Sequence, residues 1–309
     1  MKTPKNPGAS IRERLLDGAR KRGEEFNLVL TRYAIERLLY RLSQSPHRDR
    51  FVLKGAALYA LWASESPSLR YRPTRDLDLW GSGSPNAAAL ITLFREVLGV
   101  AVEEDGLRFD AESLQGTVMR EAAIYEGCRL SLSGTLDGVR IPLTIDLGFG
   151  DAITPPAREE LYPTLLPTLP APRIRAYPRE TVIAEKFEAL VSLDLTNTRV
   201  KDFYDLWTLS QNFAFGGATL LEAVKRTFER RQTAFPDAVP TALTPRYFED
   251  ATKLAAWKGF GKRTRLDLPP LSLVMNQLQG FLWPLTERAK EGTTFSARWT
   301  PQNGWDFHP

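Results

Sequence analysis

Two carboxylates stand two residues apart in the segment Thr74-Arg75-Asp76-Leu77-Asp78. Side chains two apart on a β-strand point to the same side, so a strand here would bring Asp76 and Asp78 together. Crowded carboxylates repel each other unless a cation lies between them, and Mg²⁺ prefers one or two carboxylates together with waters and phosphate oxygens. The pair therefore suggests a metal site for phosphate chemistry. An Asp76 that caps a turn and an Asp78 that faces water would explain the same residues.

A second candidate element lies upstream, where the strand-like run Phe51-Val52-Leu53 leads into Lys54-Gly55-Ala56 and a predicted helix over residues 57–63. Backbone N–H groups at a helix N-terminus bind phosphate, and glycine allows a close approach of the backbone. An ordinary strand-to-helix turn is the alternative interpretation.

Three further charged positions fall on predicted strands and helices. Asp146 ends a strand, where N–H groups of the following loop offer an alternative role for it. Lys186 flanks the apolar face of a predicted helix, from which it can reach a cleft or pair with a neighbouring carboxylate. Asp202 and Asp205 are three apart on another predicted helix and so share a face, whether in a site or in solvent.

The elements that must position these residues divide the chain into two halves. Strands are predicted at 51–53 and 77–80, and the Asp137-Gly138 dipeptide predicts a hairpin between 128–135 and 139–147. Helices are predicted at 10–22, 28–42 and 87–98, the last starting at Ser84-Pro85. The seven prolines between 154 and 178 favour a semi-rigid surface connection. Helices follow at 181–193, 199–210, 219–231, 247–257 and 271–289, and the tail after residue 291 is expected to wrap the surface or be disordered.

This pattern predicts an α/β (α+β) fold with two domains. Residues 1–170 would form a mixed sheet with helices, and residues 171–309 a helical bundle that completes a cleft.

Composition limits the function classes. Lys plus Arg number 41 against 37 Asp plus Glu, a net charge of +4 that fits an ordinary surface or attraction to a polyanion such as RNA. Basic residues cluster at 12–22, 225–231 and 258–265. A single cysteine and two histidines argue against an internal disulfide and a Cys/His zinc site. With no apolar run long enough for a membrane helix and no signal-peptide pattern, the expected compartment is the cytoplasm, without a membrane partner.

Taken together, these segments carry a family resemblance. A strand, Lys-Gly-small-small, a helix, a polar spacer and (Ser/Thr)-x-Asp-x-Asp form the pattern of the polymerase-beta-like nucleotidyltransferases. More narrowly, the chain resembles the AbiEii/AbiGii (MenT-like) toxin family, in order along the sequence, at 51–58, 72–78, 144–151, 184–190 and 199–206. Ala56 stands where that family usually has a second glycine and the wider superfamily a serine, so a backbone contact to phosphate is retained without the hydroxyl.

The resemblance implies transfer of a nucleoside monophosphate from an NTP to an RNA hydroxyl, with the 3′ end of tRNA as the expected acceptor. Asp76, Asp78 and Asp146 would bind Mg²⁺ or Mn²⁺, Asp146 or Asp205 would activate the hydroxyl, and a cognate antitoxin, typically a DNA-binding regulator, would be the partner. The implied catalytic residues are Asp76, Asp78, Asp146, Lys186 and Asp205. The implied nucleotide-binding residues are Lys54, Gly55, Ala56, Thr74, Arg75, Lys186 and Asp202.

Three alternatives share the same fold. A small-molecule acceptor, as in the aminoglycoside nucleotidyltransferases, would require an acidic acceptor pocket, whereas the basic clusters favour RNA. A protein target is a second alternative. A non-catalytic RNA-binding or regulatory protein is the third; Ala56 favours it, while Asp76, Asp78 and Lys186 argue against it.

Overall fold

The computed structural model describes residues 6–121 and 125–307. Its chain folds into two compact units, which are described separately. The first unit comprises Met1–Trp62, Pro73–Gly150 and Arg158–Ala176, and the second Ala63–Arg72, Asp151–Ala157 and Tyr177–Pro309. The second unit thus takes in two short segments that the sequence-based division at residue 170 assigns to the first domain.

A seven-stranded mixed sheet forms the centre of the first unit, in the order β3-β4-β5-β2-β1-β7-β6. Neighbouring strands are antiparallel except for the pairs β2–β5 and β1–β7, which are parallel. The strands are β1 (Phe51–Lys54), β2 (Asp76–Gly81), β3 (Leu107–Glu121), β4 (Tyr125–Leu136), β5 (Val139–Phe149), β6 (Arg158–Leu161) and β7 (Arg173–Ala176). The predicted Asp137-Gly138 turn is confirmed, because both residues have the positive φ that a two-residue hairpin turn requires.

The helices described in the first unit are α1 (Pro7–Arg22), α2 (Phe26–Gln44), α3 (Leu58–Trp62) and α4 (Ala87–Leu98). The predicted bounds of α4, residues 87–98, are confirmed, but Ser84-Pro85 does not start the helix. The side chain of Asn86 accepts a hydrogen bond from the Ala89 N–H at 3.0 Å and caps the helix one residue later.

The two faces of the sheet differ in chemistry. Along β2 and β5 every second side chain is buried, and α2 packs against β5. The buried positions are Leu77, Leu79, Ile141, Leu143, Ile145 and Leu147. The alternate positions carry Asp76, Asp78, Thr144 and Asp146 on the opposite face. Burial of the apolar residues therefore fixes which face presents the carboxylates.

The sequence predicted the proline-rich segment 154–178 to be a surface connection, but the segment also forms two strands. It contributes β6 and β7, which pair with each other and extend the sheet through the Leu53–Ala176 pair. Pro172 comes directly before β7 and Pro178 follows it by two residues, so the prolines lie outside the hydrogen-bonded ladder. The carboxyl group of Glu36 on α2 accepts from the Leu165 N–H at 2.7 Å and anchors this segment.

The second unit is mainly helical, which confirms the predicted fold class. Its helices are α5 (Arg179–Leu193), α6 (Val200–Asn212), α7 (Gly217–Arg230), α8 (Pro245–Phe248), α9 (Ala251–Thr264) and α10 (Leu271–Glu291). The single helix predicted over 247–257 is wrong, since Asp250 caps a new helix by accepting from the Lys253 N–H. Within the residues that the structure describes, no helix combines the length and the apolar stretch needed to cross a membrane.

The tail after residue 291 is ordered and forms part of a small sheet in the second unit. Strands β8 (Phe215–Gly216), β9 (Arg298–Thr300) and β10 (Gly304–Asp306) pair antiparallel in the order β10-β9-β8. Trp299 and Trp305 pack against Phe281 of α10, and their indole N–H groups donate to backbone carbonyls. Aromatic burial therefore orders a tail whose sequence is polar on average.

Candidate functional site

Four charged side chains form one row across neighbouring strands of the seven-stranded sheet. The register pairs Lys54 on β1 with Asp78 on β2, Asp78 with Asp146 on β5, and Asp146 with Arg129 on β4. Residues paired across strands point to the same face, and neighbouring strands lie about 4.8 Å apart. The row therefore places two carboxylates side by side between two cations.

The turn after β1 is built around the carboxylate of Asp78. Gly55 has a φ of +71°, and a Cβ atom added to it would lie 1.9 Å from Oδ2 of Asp78. Any other side chain would collide with that carboxylate, so only glycine fits here. The predicted helix over 57–63 is shorter than expected, a 3₁₀ turn at Gly55–Ala57 followed by the five residues of α3. Ala56 is buried in that turn.

Asp76 lies two residues before Asp78 at the start of β2 and is exposed. The hydroxyl of Thr74 accepts from the Asp76 N–H at 3.3 Å and donates to the Asp76 carbonyl at 3.0 Å. Thr74 therefore fixes the backbone that carries Asp76. Arg75 is exposed and pairs with Glu25 at 3.7 Å.

Asp146 is held by Arg129 through two parallel hydrogen bonds. Nε of Arg129 donates to Oδ1 of Asp146 and Nη2 donates to Oδ2, both at 2.7 Å. The hydrogen bonds and charge of Asp146, with help from Asp76 and Asp78, hold the pKa of Arg129 above its usual value. Both carboxylate oxygens of Asp146 are thus engaged by a permanent cation.

A second charged group lies in the second unit, where α5 carries Lys186 and α6 carries Asp202 and Asp205. Nζ of Lys186 contacts Asp202 and lies 2.9 Å from Oδ2 of Asp205. Asp205 also accepts from Nε and Nη2 of Arg72 at 3.2 Å, and its side chain is only 2% exposed. Two cations therefore surround the buried carboxylate of Asp205.

Electrostatic interactions within this group keep Lys186 and Asp202 charged. Burial disfavours the charge on Lys186, but Asp202 and Asp205 outweigh it and hold the pKa of the lysine above its ordinary value. Burial likewise opposes the charge on Asp202, whose pKa is nevertheless held below the usual value by Lys186. The ion pair of Lys186 and Asp202 therefore stays charged.

The neighbouring acids on α5 serve another cation. Arg231 lies 2.7 Å from Glu188, 3.0 Å from Asp151 and 3.8 Å from Glu185. The charges of these acids outweigh burial and raise the pKa of Arg231 above its usual value. These ion pairs link α5 to the C-terminal end of α7.

Asp76 and Asp78 suit a divalent cation better than the predicted set of three. Two carboxylates on one face match the donors that Mg²⁺ takes together with waters and phosphate oxygens. Both oxygens of Asp146, by contrast, are hydrogen-bonded to Arg129. Over the described ranges, no three or more His, Cys, Asp or Glu side chains are arranged to hold a metal ion. The residues present therefore fit a metal held by two carboxylates and by its substrate.

Sequence reasoning did not single out Arg129 or Arg72. Counting back residue by residue from the two-residue Asp137-Gly138 turn places Arg129 opposite Asp146, so a signal for the first was present. Arg72 lies inside the quoted segment 72–78, but its partner Asp205 is far away in the sequence, and no local pattern indicates the pair.

The match to a protein-family model agrees with the motif evidence. The family model of the nucleotidyl transferase AbiEii toxin, type IV TA system, matches residues 37–287. Among solved structures, JHP933 from Helicobacter pylori aligns at 16% identity with a TM-score of 0.44, covering 85% of this chain and 94% of that chain. A candidate nucleotidyltransferase from H. pylori aligns at the same identity and TM-score, covering 85% and 96%. No curated protein matches this sequence. Because the family model covers most of its length, the chain belongs to the nucleotidyl transferase AbiEii toxin family of type IV toxin–antitoxin systems.

Proposed function

We propose that this protein transfers a nucleoside monophosphate from an NTP to an RNA hydroxyl, with the 3′ end of tRNA as the acceptor. The observation that carries the proposal is the row of Lys54, Asp78 and Asp146, with the backbone of Gly55 against the Asp78 carboxylate. Membership of a nucleotidyltransferase toxin family supplies the reaction class. The row supplies paired carboxylates beside a lysine and a glycine turn, which that reaction uses.

In this proposal Asp76 and Asp78 hold Mg²⁺ or Mn²⁺. The bound ion would neutralise the triphosphate oxygens on which negative charge develops. Thr74 holds the Asp76 backbone in place, and Arg75 contacts the nucleotide.

The phosphates are assigned first to Lys54 and the turn that follows it. Lys54 lies beside Asp78 in the sheet register, and the Gly55-Ala56 turn offers its backbone N–H groups. The family resemblance assigns Lys186 the same task, with Asp202 and Asp205 to fix its ammonium group. A cation held by two acidic side chains is already oriented and needs little rearrangement when the reaction occurs.

Activation of the acceptor hydroxyl falls in this proposal to Asp146 or Asp205, the two proposed catalytic carboxylates outside the Asp76–Asp78 pair. Each of them is hydrogen-bonded to an arginine, Arg129 and Arg72 respectively. The proposed partner is a cognate antitoxin of the DNA-binding regulator kind, and the proposed compartment is the cytoplasm.

An exposed basic surface on α9 favours RNA as the acceptor. Lys258, Lys262 and Arg263 on this helix are exposed, as is Arg265, which directly follows it. None of the four forms an ion pair with any residue in the described part of the chain. Unpaired cations on one surface attract a phosphate backbone.

The proposal is tested by incubating the full chain with total tRNA, Mg²⁺ and each of the four α-labelled NTPs separately, beside the Asp76→Ala variant. Label that enters RNA from an NTP, and is absent with the variant, would support both the reaction and the acceptor. Label in the protein fraction, or in an added aminoglycoside, would replace RNA by that acceptor. RNA binding without any label transfer would support a non-catalytic protein.

A further inference from the structure

Arg129 has one edge of its guanidinium bound and one edge open. A guanidinium carries five N–H groups in a planar fork, and two carboxylate or phosphate groups can bind to its two edges. Asp146 takes the edge formed by Nε and Nη2. Nη1 and the second N–H of Nη2 form the other edge, and they donate to no atom within the residues that the structure describes. The side chain is 48% exposed, so this edge faces solvent.

The position of Arg129 indicates what the open edge would bind. In the sheet register it lies two strands away from Asp78, with Asp146 between them. An isolated surface ion pair would indicate no ligand. The Arg129–Asp146 pair instead extends the row of charged residues that starts at Lys54. The same row carries the carboxylates proposed to hold a metal on a triphosphate. An oxyanion is the ligand for which a second planar pair of N–H groups is complementary.

The contact also assigns a role to Asp146. Both of its oxygens accept hydrogen bonds from Arg129 at 2.7 Å, so the carboxylate fixes the plane in which the guanidinium lies. A long and flexible side chain that is oriented beforehand loses less rotamer freedom when it binds a phosphate.

We propose that Arg129 binds a phosphate group of the nucleoside triphosphate through the Nη1–Nη2 edge, and that Asp146 is its positioning residue. This rests on the proposed function and names a further residue for its nucleotide. Asp146 then acts through Arg129, and the metal is left to Asp76 and Asp78. No bond is made or broken by Arg129, which contributes charge and hydrogen bonds alone.

The test is the equilibrium binding of the four Mg²⁺–NTP complexes and of Mg²⁺–tripolyphosphate to the full chain, measured by calorimetry without RNA. Loss of a charge-assisted pair of hydrogen bonds should weaken binding of both kinds of probe by about ten- to a hundredfold in Arg129→Ala. Arg129→Lys retains the charge without the planar fork and should recover only part of that loss. If Arg129→Ala does not fold, the same comparison is made with Arg129→Lys alone.

A matched control lies on the same strand and face as Asp146. Arg140 on β5 is exposed, and at about 3.3 Å per residue it lies roughly 20 Å from Asp146 along the strand. Arg140→Ala removes the same charge and should leave the affinity for NTP within about twofold of the wild type.

A double-mutant comparison separates the positioning role of Asp146 from a metal or base role. If Asp146 acts through Arg129, the variant carrying both Asp146→Asn and Arg129→Ala binds tripolyphosphate no more weakly than Arg129→Ala alone. Activation of the hydroxyl is then left to Asp205, and in the transfer assay Asp146→Asn should raise KM for the NTP more than it lowers kcat. A metal ligand or a base would instead lower kcat at saturating NTP.

Three results would overturn the proposal: wild-type protein that binds neither probe, unchanged affinity in Arg129→Ala, or losses that multiply in the double variant. Unchanged NTP affinity together with weaker RNA binding in Arg129→Ala would show that the open edge binds the RNA backbone instead of the nucleotide. Failure of the proposed function has a different signature. Binding that depends on Arg129, with no transfer to any acceptor by the wild type, would retain this phosphate site and remove the transferase.

Discussion

Replacing Gly55 by alanine tests whether the turn after β1 is built around Asp78. Gly55 has a φ of +71°, which costs an alanine about 1–2 kcal/mol in backbone strain. The new Cβ would also lie 1.9 Å from Oδ2 of Asp78, so the carboxylate must move about 1.5 Å to restore an ordinary contact. Overpacking of this kind costs about 1–3 kcal/mol more. We therefore expect Gly55→Ala to lower the free energy of unfolding by about 2–5 kcal/mol.

Gly138→Ala is the matched control for this prediction. Gly138 has a φ of +77° in the same unit, and a Cβ there would meet no atom within 4 Å. Gly138→Ala should lose only the stability due to backbone strain, about 1–2 kcal/mol. The free energies of unfolding of both variants are measured by urea denaturation. Displacement of Asp78 should in addition lower nucleotide transfer about a hundredfold in Gly55→Ala and not in Gly138→Ala. Equal losses of stability in the two variants would refute the close approach of Gly55 to the carboxylate.

Three further predictions concern charged groups. Lys186→Ala should weaken NTP binding. It should also lower the free energy of unfolding by about 3 kcal/mol, because it removes the ion pairs of Asp202 and Asp205 with this lysine. An unchanged affinity for NTP would show that Lys186 is not part of the site. The lowered pKa of Asp202 stabilises the folded protein above about pH 4. The difference in free energy of unfolding between the wild type and Asp202→Asn should therefore be constant from pH 5 to 8 and shrink below about pH 4. Urea denaturation at pH 3 that shows the full difference would contradict this. Burial raises the pKa of Glu36 to about 7, so stability falls as pH rises towards and through that value. Glu36→Gln can still accept the hydrogen bond from the Leu165 N–H. Between pH 5 and pH 8, its free energy of unfolding should rise by about 2–3 kcal/mol relative to that of the wild type. A stability difference that does not change with pH would contradict the raised pKa of Glu36.

Local patterns in the sequence were sufficient for the core of the first unit. The alternation around Asp76 and Asp78 predicted a strand with both carboxylates on one face, and the described β2 has that pattern. The Asp137-Gly138 signal set the β4–β5 hairpin, since positive φ values at both positions leave few other conformations. These features depend on neighbours in the chain, which a sequence displays directly.

Elements stabilised from a distance were not predictable in the same way. Strand β6 is exposed at all four positions and lies at the edge of the sheet, so no buried alternation marks it. Strand β9 is short and is ordered by Trp299 against Phe281, a contact that the polar tail sequence does not indicate. In both cases the partner that stabilises the strand lies elsewhere in the chain.

The candidate site shows the same division. The register pairs Asp78 with Asp146, two of the carboxylates that the family resemblance groups together. The hydrogen bonds of Arg129 to Asp146 and of Arg72 to Asp205 depend on side-chain directions after folding. Motifs therefore located the carboxylates, while the arginines that hold two of them required the structure.

The central claim is that the carboxylates of β2 perform NTP-dependent transfer, and one comparison tests it most directly. Asp76→Asn and Asp49→Asn each remove one exposed acidic charge from the first unit, so both should fold normally. The measurement is kcat for incorporation of labelled nucleotide into tRNA at saturating NTP and Mg²⁺. The account predicts a loss of about a hundred- to a thousandfold for Asp76→Asn and an unchanged rate for Asp49→Asn. Equal rates in the two variants would contradict it.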